Sequence, residues 1–259
     1  MPLVIVEDRG PVGIATLNNP EKRNCLSNAV LGELLAALDA FETRGARAVV
    51  LRAPAGSTVW SAGFDVRELP EHGRDPLAYD DPLERTIRRL QSVRAPVIAM
   101  IEGSVWGGAC DVALTCDLAV GCSSTSFSMS PAKMGVPYNS AGILHFINVV
   151  GVRVAREMFF TAKPITAERA LVIGLLNHLV PQETLEHYTM ELARGIAENS
   201  PLAIAALKEQ LHILSEANPI TADSFERLQS LRRHVYDSAD YTEGRRAFLE
   251  KRRPVFTGR

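Results

Sequence analysis

A buried strand that leads into paired glycines is the feature that most constrains this chain. The apolar run from Pro96 to Ile101, PVIAMI, predicts a strand. Gly107 and Gly108 follow, and the short apolar segment from Ala109 to Leu114 predicts the start of a helix. A helix N-terminus presents unpaired N–H groups and a partial positive charge, and glycine lets a ligand approach that backbone closely. The place suits a developing negative oxygen, and a simple turn in a packed domain fits the pattern equally well.

Strand and helix patterns alternate along the first half of the chain. LVIVE and Val12 to Leu17 predict an antiparallel hairpin, and apolar residues at helical spacing predict a helix from Val30 up to the glycine stop at Arg44-Gly45. Ala48 to Ala53 predicts the next strand, and Asp81 followed by proline predicts the start of a helix that runs to about residue 93. DLAV, residues 117–120, adds a short strand. This alternation predicts an α/β fold with right-handed β-α-β crossovers.

Beyond Gly142 the patterns become helical. ILHFINVVG, VRVAREMFFTA and ITAERALVIG predict helices, with Thr166 as the N-cap of the last one. NHLVP, residues 177–181, is the last strand candidate. Four further helices are predicted, over residues 183–198, 203–214, 222–236 and 243–252.

The composition limits the partners and the compartment. A net charge of −2 on 259 residues gives no global field that favours nucleic acid or an anionic membrane, so neither is expected as a partner. No apolar stretch reaches the roughly 18 residues of a membrane span, and acids close to the N-terminus argue against a targeting peptide. The four cysteines form no CxxC pair and are expected to be reduced core thiols of a cytoplasmic protein. They are Cys25, Cys110, Cys116 and Cys122.

Common catalytic motifs are missing from the sequence. It contains no GxGxxG, GxxxxGK[ST], HExxH or GxSxG, and its six histidines have no metal-type spacing. No metal site is expected. Cys110 lies among apolar residues without an activating base nearby in sequence, so a cysteine nucleophile is not expected either.

Several segments together resemble a known family. SAGFD, Ser61 to Asp65, precedes VWGGACD, and GVPYN and a basic FLEKRRP follow further along. This set is similar to the crotonase, or enoyl-CoA hydratase/isomerase, superfamily over essentially the whole chain. Six segments resemble more narrowly its bacterial methylmalonyl-CoA decarboxylase branch: LRAPAGSTVWSAG, ELPEHGRDPLAYDDPL, EGSVWGGA, GVPYN, YDSADY and FLEKRRP.

The resemblance implies a crotonase-like spiral of ββα units. Residues 1–200 would form the core that holds the active site and coenzyme A, and residues 201–259 a C-terminal helical region for oligomerisation and coenzyme contact. Homotrimers or homohexamers and an acyl-CoA thioester substrate are implied. The shared chemistry is an oxyanion hole in which two backbone N–H groups grip the thioester carbonyl. The matching amides are those of Phe64 and Gly108, and each such donor contributes roughly 3 kcal/mol to an enolate-like transition state.

The residues at the matching positions favour decarboxylation over hydration. Hydratases of the family use two glutamates, and here those positions hold Asp111 and Pro131. Tyr138 matches the tyrosine that orients a carboxylate in the decarboxylase branch. The resemblance thus implies a carbon-carbon lyase that converts methylmalonyl-CoA, or a close malonyl-CoA analogue, to propionyl-CoA. No cofactor is expected besides the coenzyme A of the substrate.

Two residues of this chain depart from the decarboxylase pattern. The decarboxylases have histidine at the position of Phe64 and glutamate at the position of Asp111. The proton donor to the enolate stays open among water, Tyr138 and Asp111. For coenzyme A, the resemblance implies contacts with two loops and one C-terminal helix. The residues are Arg23, Cys25, Leu26, Ala62, Asp65, Val66, Phe248 and Lys251.

Two other functions remain open from the sequence. An enoyl-CoA isomerase or weak hydratase would use Asp111 as its base, although a capping or ion-pair role at the helix start explains an aspartate there equally well. The third possibility is a non-catalytic protein that binds acyl-CoA.

Overall fold

A computed structural model of the chain describes residues 1–71, 78–216 and 220–259. Part of the segment ELPEHGRDPLAYDDPL, residues 72–77, therefore lies outside the described residues. The strands are β1 (Val4–Arg9), β2 (Val12–Leu17), β3 (Ala48–Arg52), β4 (Val59–Ser61), β5 (Val97–Ile101), β6 (Ser104–Trp106), β7 (Leu118–Gly121), β8 (Ser126–Ser128), β9 (Ile165–Thr166) and β10 (His178–Leu179). The helices are α1 (Asn28–Thr43), α2 (Pro82–Ser92), α3 (Gly108–Thr115), α4 (Ser140–Thr161), α5 (Ala167–Val172), α6 (Leu185–Glu198), α7 (Pro201–Ser215), α8 (Ala222–Tyr236) and α9 (Ala239–Leu249).

The strands form two sheets. The larger sheet has the order β1-β2-β3-β5-β7-β10, in which β1 is antiparallel to β2 and the other neighbours are parallel. The smaller sheet has the order β4-β6-β8-β9, with β4, β6 and β8 parallel. Each of β3, β5 and β7 is followed by a strand of the smaller sheet and then by a helix. The chain thus repeats a ββα unit three times, as the predicted spiral requires.

The larger sheet is covered by helices on both faces. Side chains alternate along its strands, so that Val49 and Leu51 join one apolar cluster while Val50 joins another. The first cluster includes Leu31 and Leu34 of α1, and the second is closed by α6. Burial on both faces explains why the parallel strands are almost continuously apolar. None of the described helices is both long and apolar enough to cross a membrane.

The predicted elements of the first half are confirmed, with ends moved by one or two residues. The hairpin forms, and the side chain of Asp81 caps α2 by accepting from the Leu83 N–H. All four cysteines are buried and unpaired, as expected. Strands β4, β6 and β8, of three residues each, were not predicted.

The second half differs more from the prediction. ILHFINVVG and VRVAREMFFTA form the one helix α4, interrupted only by non-helical backbone at Gly151. ITAERALVIG begins as strand β9 before Thr166 caps α5. The predicted helix over 243–252 is wrong in position, because Ser238 caps α9 through the Tyr241 N–H and the helix ends at Leu249. The helix predicted over residues 203–214 is two residues longer at its start, at Pro201, and one residue longer at its end, at Ser215.

Candidate active site

The smaller sheet places the two predicted amide donors side by side. β4 ends at Ser61 and β6 ends at Trp106, and these strands are parallel neighbours. Phe64 and Gly108 follow at the same edge of the sheet. A Cβ built on Gly108 would lie 3.7 Å from the Phe64 nitrogen, so the two stretches of backbone are in close contact.

The amide of Phe64 is turned towards Gly108 by its neighbours. The Gly63 carbonyl accepts from the Leu26 N–H at 2.8 Å, and the Asp65 N–H donates to the Leu26 carbonyl at 3.2 Å. Because these two flanking groups face Leu26, the Phe64 N–H faces the other way. Gly108 is the first residue of α3, whose initial N–H groups have no partner within the helix. Neither amide has an acceptor among the residues that the structure describes.

Gly63 makes this arrangement sterically possible. Its φ is +83°, and a Cβ there would clash with the Trp106 carbonyl and lie 3.3 Å from the Gly108 nitrogen. Only glycine fits such a close approach at this backbone conformation without displacing β6. The SAGFD pattern therefore has a direct structural reason.

Phe64 and Gly108 both line a cavity of about 810 Å³. Tyr138 and Pro131 line the same cavity, together with the apolar side chains of Leu83 and Val136. The chain in this region thus provides two hydrogen-bond donors and a phenol on a largely apolar wall. Such a wall strengthens electrostatic interactions with a bound thioester.

Tyr138 is anchored by Asp111. The phenol is 8% exposed, and its O–H donates to Asp111 Oδ2 at 2.9 Å. Burial, followed by the charge of Asp111, raises the pKa of Tyr138 well above its usual value, so the phenol keeps its hydrogen at neutral pH. Asp111 is fully buried and is not one of the described residues that line the cavity.

Three polar residues behind Tyr138 were not predicted as part of the site. His145 Nδ1 lies 2.8 Å from Asp111 Oδ1, and Asn139 donates through Nδ2 to Glu84 Oε1. Burial and then the charge of Asp111 raise the pKa of Glu84 to about 7, against an opposing hydrogen bond from Asn139. Burial lowers the pKa of His145, but the hydrogen bond to Asp111 and its charge outweigh this, and the net shift is upward.

The sequence contained only weak signals for these residues. Glu84 has the position of an ordinary acid in the first turn of a helix, and His145 lies in an apolar helical segment. The partner of Glu84 is 55 residues away along the chain, and the partner of His145 is 34 residues away. A single histidine among apolar residues was the one available hint of a buried partner.

The residues expected around coenzyme A are only partly brought to the cavity. Leu26 is a fully buried core residue whose backbone pairs with Gly63 and Asp65, and it is not among the described residues that line the cavity. Lys251 is exposed and not among the described lining residues, whereas its neighbour Arg252 lines the cavity. The other six line it: Arg23, Cys25, Ala62, Asp65, Val66 and Phe248.

The cavity also has basic side chains that were not predicted individually. Lys22, Arg67 and Lys133 line it with Arg23 and Arg252. Asp65 accepts from Arg67 Nε at 2.8 Å, and Glu243 accepts from Arg252 Nη2 at 2.9 Å. Cys25 lies 3.7 Å from Asp65, and burial followed by the Asp65 charge raises the pKa of its thiol, so it is not an activated nucleophile.

The fold and the site geometry define the class of protein. The family model of the enoyl-CoA hydratases and isomerases matches residues 7–259, and the chain belongs to this family. The chain is similar to methylmalonyl-CoA decarboxylase of Escherichia coli (strain K12), at 49% identity over 95% of both chains. It is 32% identical to 2,3-dehydroadipyl-CoA hydratase of the same organism, over 99% of both chains.

The solved structures agree with this relationship. Methylmalonyl-CoA decarboxylase complexed with 2S-carboxypropyl CoA has a TM-score of 0.97 to this structure and 47% identity. The match covers 99% of this chain and 98% of the other. The predicted family membership and crotonase-like fold are therefore confirmed.

Proposed function

We propose that the protein is a carbon-carbon lyase that decarboxylates methylmalonyl-CoA, or a close malonyl-CoA analogue, to propionyl-CoA. The observation that carries this proposal is the meeting of two unpaired amides, of Phe64 and Gly108, with the phenol of Tyr138 in one cavity. The 49% identity to a methylmalonyl-CoA decarboxylase supports the choice of substrate.

The amides act on the thioester carbonyl. When the C–COO⁻ bond is held perpendicular to the thioester plane, its electrons flow into the carbonyl π system as CO₂ leaves. The carbonyl oxygen becomes an enolate oxygen, and the amides of Phe64 and Gly108 stabilise it, at roughly 3 kcal/mol per donor. The thioester itself accepts the electrons, so the reaction asks for no cofactor beyond the coenzyme A of the substrate.

Tyr138 orients the carboxylate that leaves. A neutral phenol donates one hydrogen bond without the full charge that would hold the carboxylate in its ground state. Phe64, Leu83 and Val136 make the surroundings apolar. An apolar wall favours the loss of the carboxylate charge, because the transition state carries that charge away towards the amides.

Hydration is disfavoured by the same cavity. Pro131, at the position of the second hydratase acid, has no proton to give or take. Asp111 lies behind Tyr138 and accepts hydrogen bonds from Tyr138 and His145. The isomerase alternative needs Asp111 in contact with substrate, and the geometry offers no support for it.

Coenzyme A is proposed to lie along the loops before α1 and after β4. Arg23 and Cys25 of the first loop and Ala62, Asp65 and Val66 of the second line the cavity. Near the C-terminus, Phe248 and Arg252 line the cavity, so Arg252 is proposed to contact the coenzyme in place of Lys251. Guanidinium groups suit phosphate oxygens well.

The proposal is tested by CO₂ release from methylmalonyl-CoA in wild type and in Tyr138→Phe. Loss of one orienting hydrogen bond is expected to lower turnover about 5- to 150-fold. Tyr188→Phe, on α6, is the matched control because it loses a hydrogen bond to His178 outside the cavity. No turnover by wild type contradicts the function, and undiminished turnover by Tyr138→Phe contradicts the role of the phenol.

The C-terminal region, residues 201–259, is proposed to join copies of the chain into a homotrimer or homohexamer. Leu207, Leu211 and Leu214 form an exposed apolar stripe on α7, at 53%, 67% and 72% exposure. Light scattering of wild type and Leu211→Glu tests this, with a smaller assembly expected for the variant and a monomeric wild type as the contrary result. A cytoplasmic location is also proposed, since four buried unpaired thiols fit a reducing compartment.

A further inference from the structure

The phenol of Tyr138 has a single hydrogen, and Asp111 already receives it. The Tyr138 oxygen and Asp111 Oδ2 are 2.9 Å apart in a buried place. If the phenol turned to donate to a substrate carboxylate, two buried oxygen atoms would face each other without a hydrogen between them. Such an unpaired contact is costly in a site of low polarity.

We propose that the cluster formed by Glu84, Asp111, Tyr138 and His145 takes up one proton when the substrate carboxylate binds, and passes it through Tyr138 to the enolate carbon. This inference rests on the proposed decarboxylation and names its proton donor. With a proton between Asp111 and Tyr138, the phenol donates to the substrate while its oxygen accepts from Asp111.

The charges around the cluster favour uptake of a proton. Glu84 of α2 and Asp111 of α3 are buried carboxyl groups whose charges repel, and a substrate carboxylate adds a third negative charge. Arg88 of α2 and His145 of α4 act in the opposite direction, and Glu216 at the end of α7 acts on His145. The raised pKa values of Glu84 and His145 agree with a cluster that holds protons near neutral pH.

His145 is a positioning residue in this cluster. Gln91 Nε2 lies 3.1 Å from His145 Nε2, which assigns the hydrogen of a neutral ring to Nδ1 and directs it to Asp111 Oδ1. Asp111 is then held from both sides, with Oδ2 aimed at Tyr138. His145 is also the more exposed partner, at 14% of its side chain against 0% for Asp111. It is therefore the nearer of the two to solvent protons.

The steps balance without another reactant. The C–COO⁻ bond breaks, CO₂ leaves, and the electron pair forms the enolate. The enolate α-carbon then takes the hydrogen of Tyr138, and the proton on Asp111 moves to the phenol oxygen. Asp111 returns to its carboxylate form, and one proton from solvent has been consumed in each turnover.

Calorimetric titration of the wild type with an unreactive ligand tests the proton uptake. The thioether 2-carboxypropyl-CoA carries the carboxylate and cannot form the enolate, and isobutyl-CoA has the same shape without the carboxylate. Titrations in phosphate and Tris near pH 8, where Glu84 is mostly ionised, give the number of protons from the difference in heat. We expect about one proton per site for 2-carboxypropyl-CoA and about none for isobutyl-CoA. No uptake with either ligand overturns the proposal.

Asp111→Asn provides a second readout. The asparagine N–H donates to the phenol as a protonated Asp111 would, so 2-carboxypropyl-CoA is expected to bind without proton uptake. Above about pH 8, where Glu84 is mostly ionised, the affinity of this variant should stay constant, whereas the wild-type affinity should fall about tenfold per pH unit. Uptake by this variant equal to wild type contradicts the proposal, and unchanged isobutyl-CoA binding verifies its fold.

Parallel turnover assays separate this inference from the proposed function. If the wild type does not decarboxylate methylmalonyl-CoA, the proposed function itself is wrong. If the wild type decarboxylates methylmalonyl-CoA but binds 2-carboxypropyl-CoA without proton uptake, only the proposed proton relay is wrong.

Discussion

Gly142 lies against the ring of Tyr138, so close that a Cβ at this position would overlap Cε1 and lie 2.6 Å from Asp111 Oδ2. The first turn of α4 therefore leaves room for the hydrogen bond between Tyr138 and Asp111 only because residue 142 has no side chain. Asn139 strengthens this turn by accepting from the Gly142 N–H at 2.5 Å.

Gly142→Ala is expected to displace Tyr138 and lower decarboxylase turnover at least about tenfold. The variant should also lose about 1–3 kcal/mol of unfolding free energy, because overpacking outweighs the gain in helix propensity. Gly32→Ala is the matched control, since Gly32 is an exposed residue of α1 with open space around it. It should keep full turnover and gain about 0.5–1 kcal/mol in stability. Equal turnover in both variants would contradict the role of Gly142.

Gly63→Ala tests the close contact between the two amide-bearing loops. The added methyl group would push against β6 and move the Gly108 amide, so turnover should fall at least about 100-fold. Gly56→Ala is the control, because Gly56 has a similar φ of +79° but nothing within 4 Å of the new Cβ. Both variants share a strain of about 1–2 kcal/mol. A turnover loss as large in Gly56→Ala would mean that strain alone is responsible.

Glu84 gives the fold a pH dependence with a defined sign. Its folded pKa of about 7 is raised by burial above the model-peptide value of 4.5, so the folded state binds the proton more tightly than the unfolded state. The tighter proton binding contributes roughly 3 kcal/mol to the unfolding free energy. This contribution is fully present below pH 4.5 and is lost as the pH rises to about 7.

Glu84→Gln should remove this loss, so that the variant gains stability relative to wild type as pH rises from 4.5 to 8. Urea denaturation at several pH values measures it, with Glu226→Gln on the exposed side of α8 as control. A pH profile of Glu84→Gln that runs parallel to wild type would contradict the assignment.

Lys208 connects the C-terminal region to the core. Its Nζ donates to Asp117 Oδ2 at 2.7 Å and to the Leu90 carbonyl at 2.8 Å, with 8% of its side chain exposed. Lys208→Met leaves Asp117 without its cation and should cost about 3 kcal/mol of unfolding free energy. Lys163→Met, at an exposed position, should change it by less than about 0.5 kcal/mol. A small effect in both would mean that residues 201–259 are attached loosely.

Long apolar patterns and caps made much of the fold predictable. The strands β2, β3 and β5 are segments of five or six mostly apolar residues, α1 has clear helical spacing and α2 has a clear start signal. Strands β4, β6 and β8 were missed because three residues carry too little pattern, and their pairing joins segments more than 20 residues apart. The start of α9 was missed because Ser238 was not recognised as its cap.

The candidate site was also predictable only in part. From the residues alone, the Gly107-Gly108 turn suited a developing negative oxygen, with a simple turn equally possible, and the family resemblance then predicted the roles of Phe64, Gly108 and Tyr138. Glu84 and His145 were missed because burial, not residue type, gives them their chemistry. A glutamate in the first turn of α2 has the same sequence pattern whether it faces water or Asn139.

The most direct test of the central claim is a product profile by mass spectrometry. The wild-type protein is incubated separately with methylmalonyl-, ethylmalonyl-, malonyl- and crotonyl-CoA, and the acyl-CoA products are identified. We expect propionyl-CoA from methylmalonyl-CoA and unchanged crotonyl-CoA. Hydrated or isomerised crotonyl-CoA together with intact malonyl thioesters would contradict it.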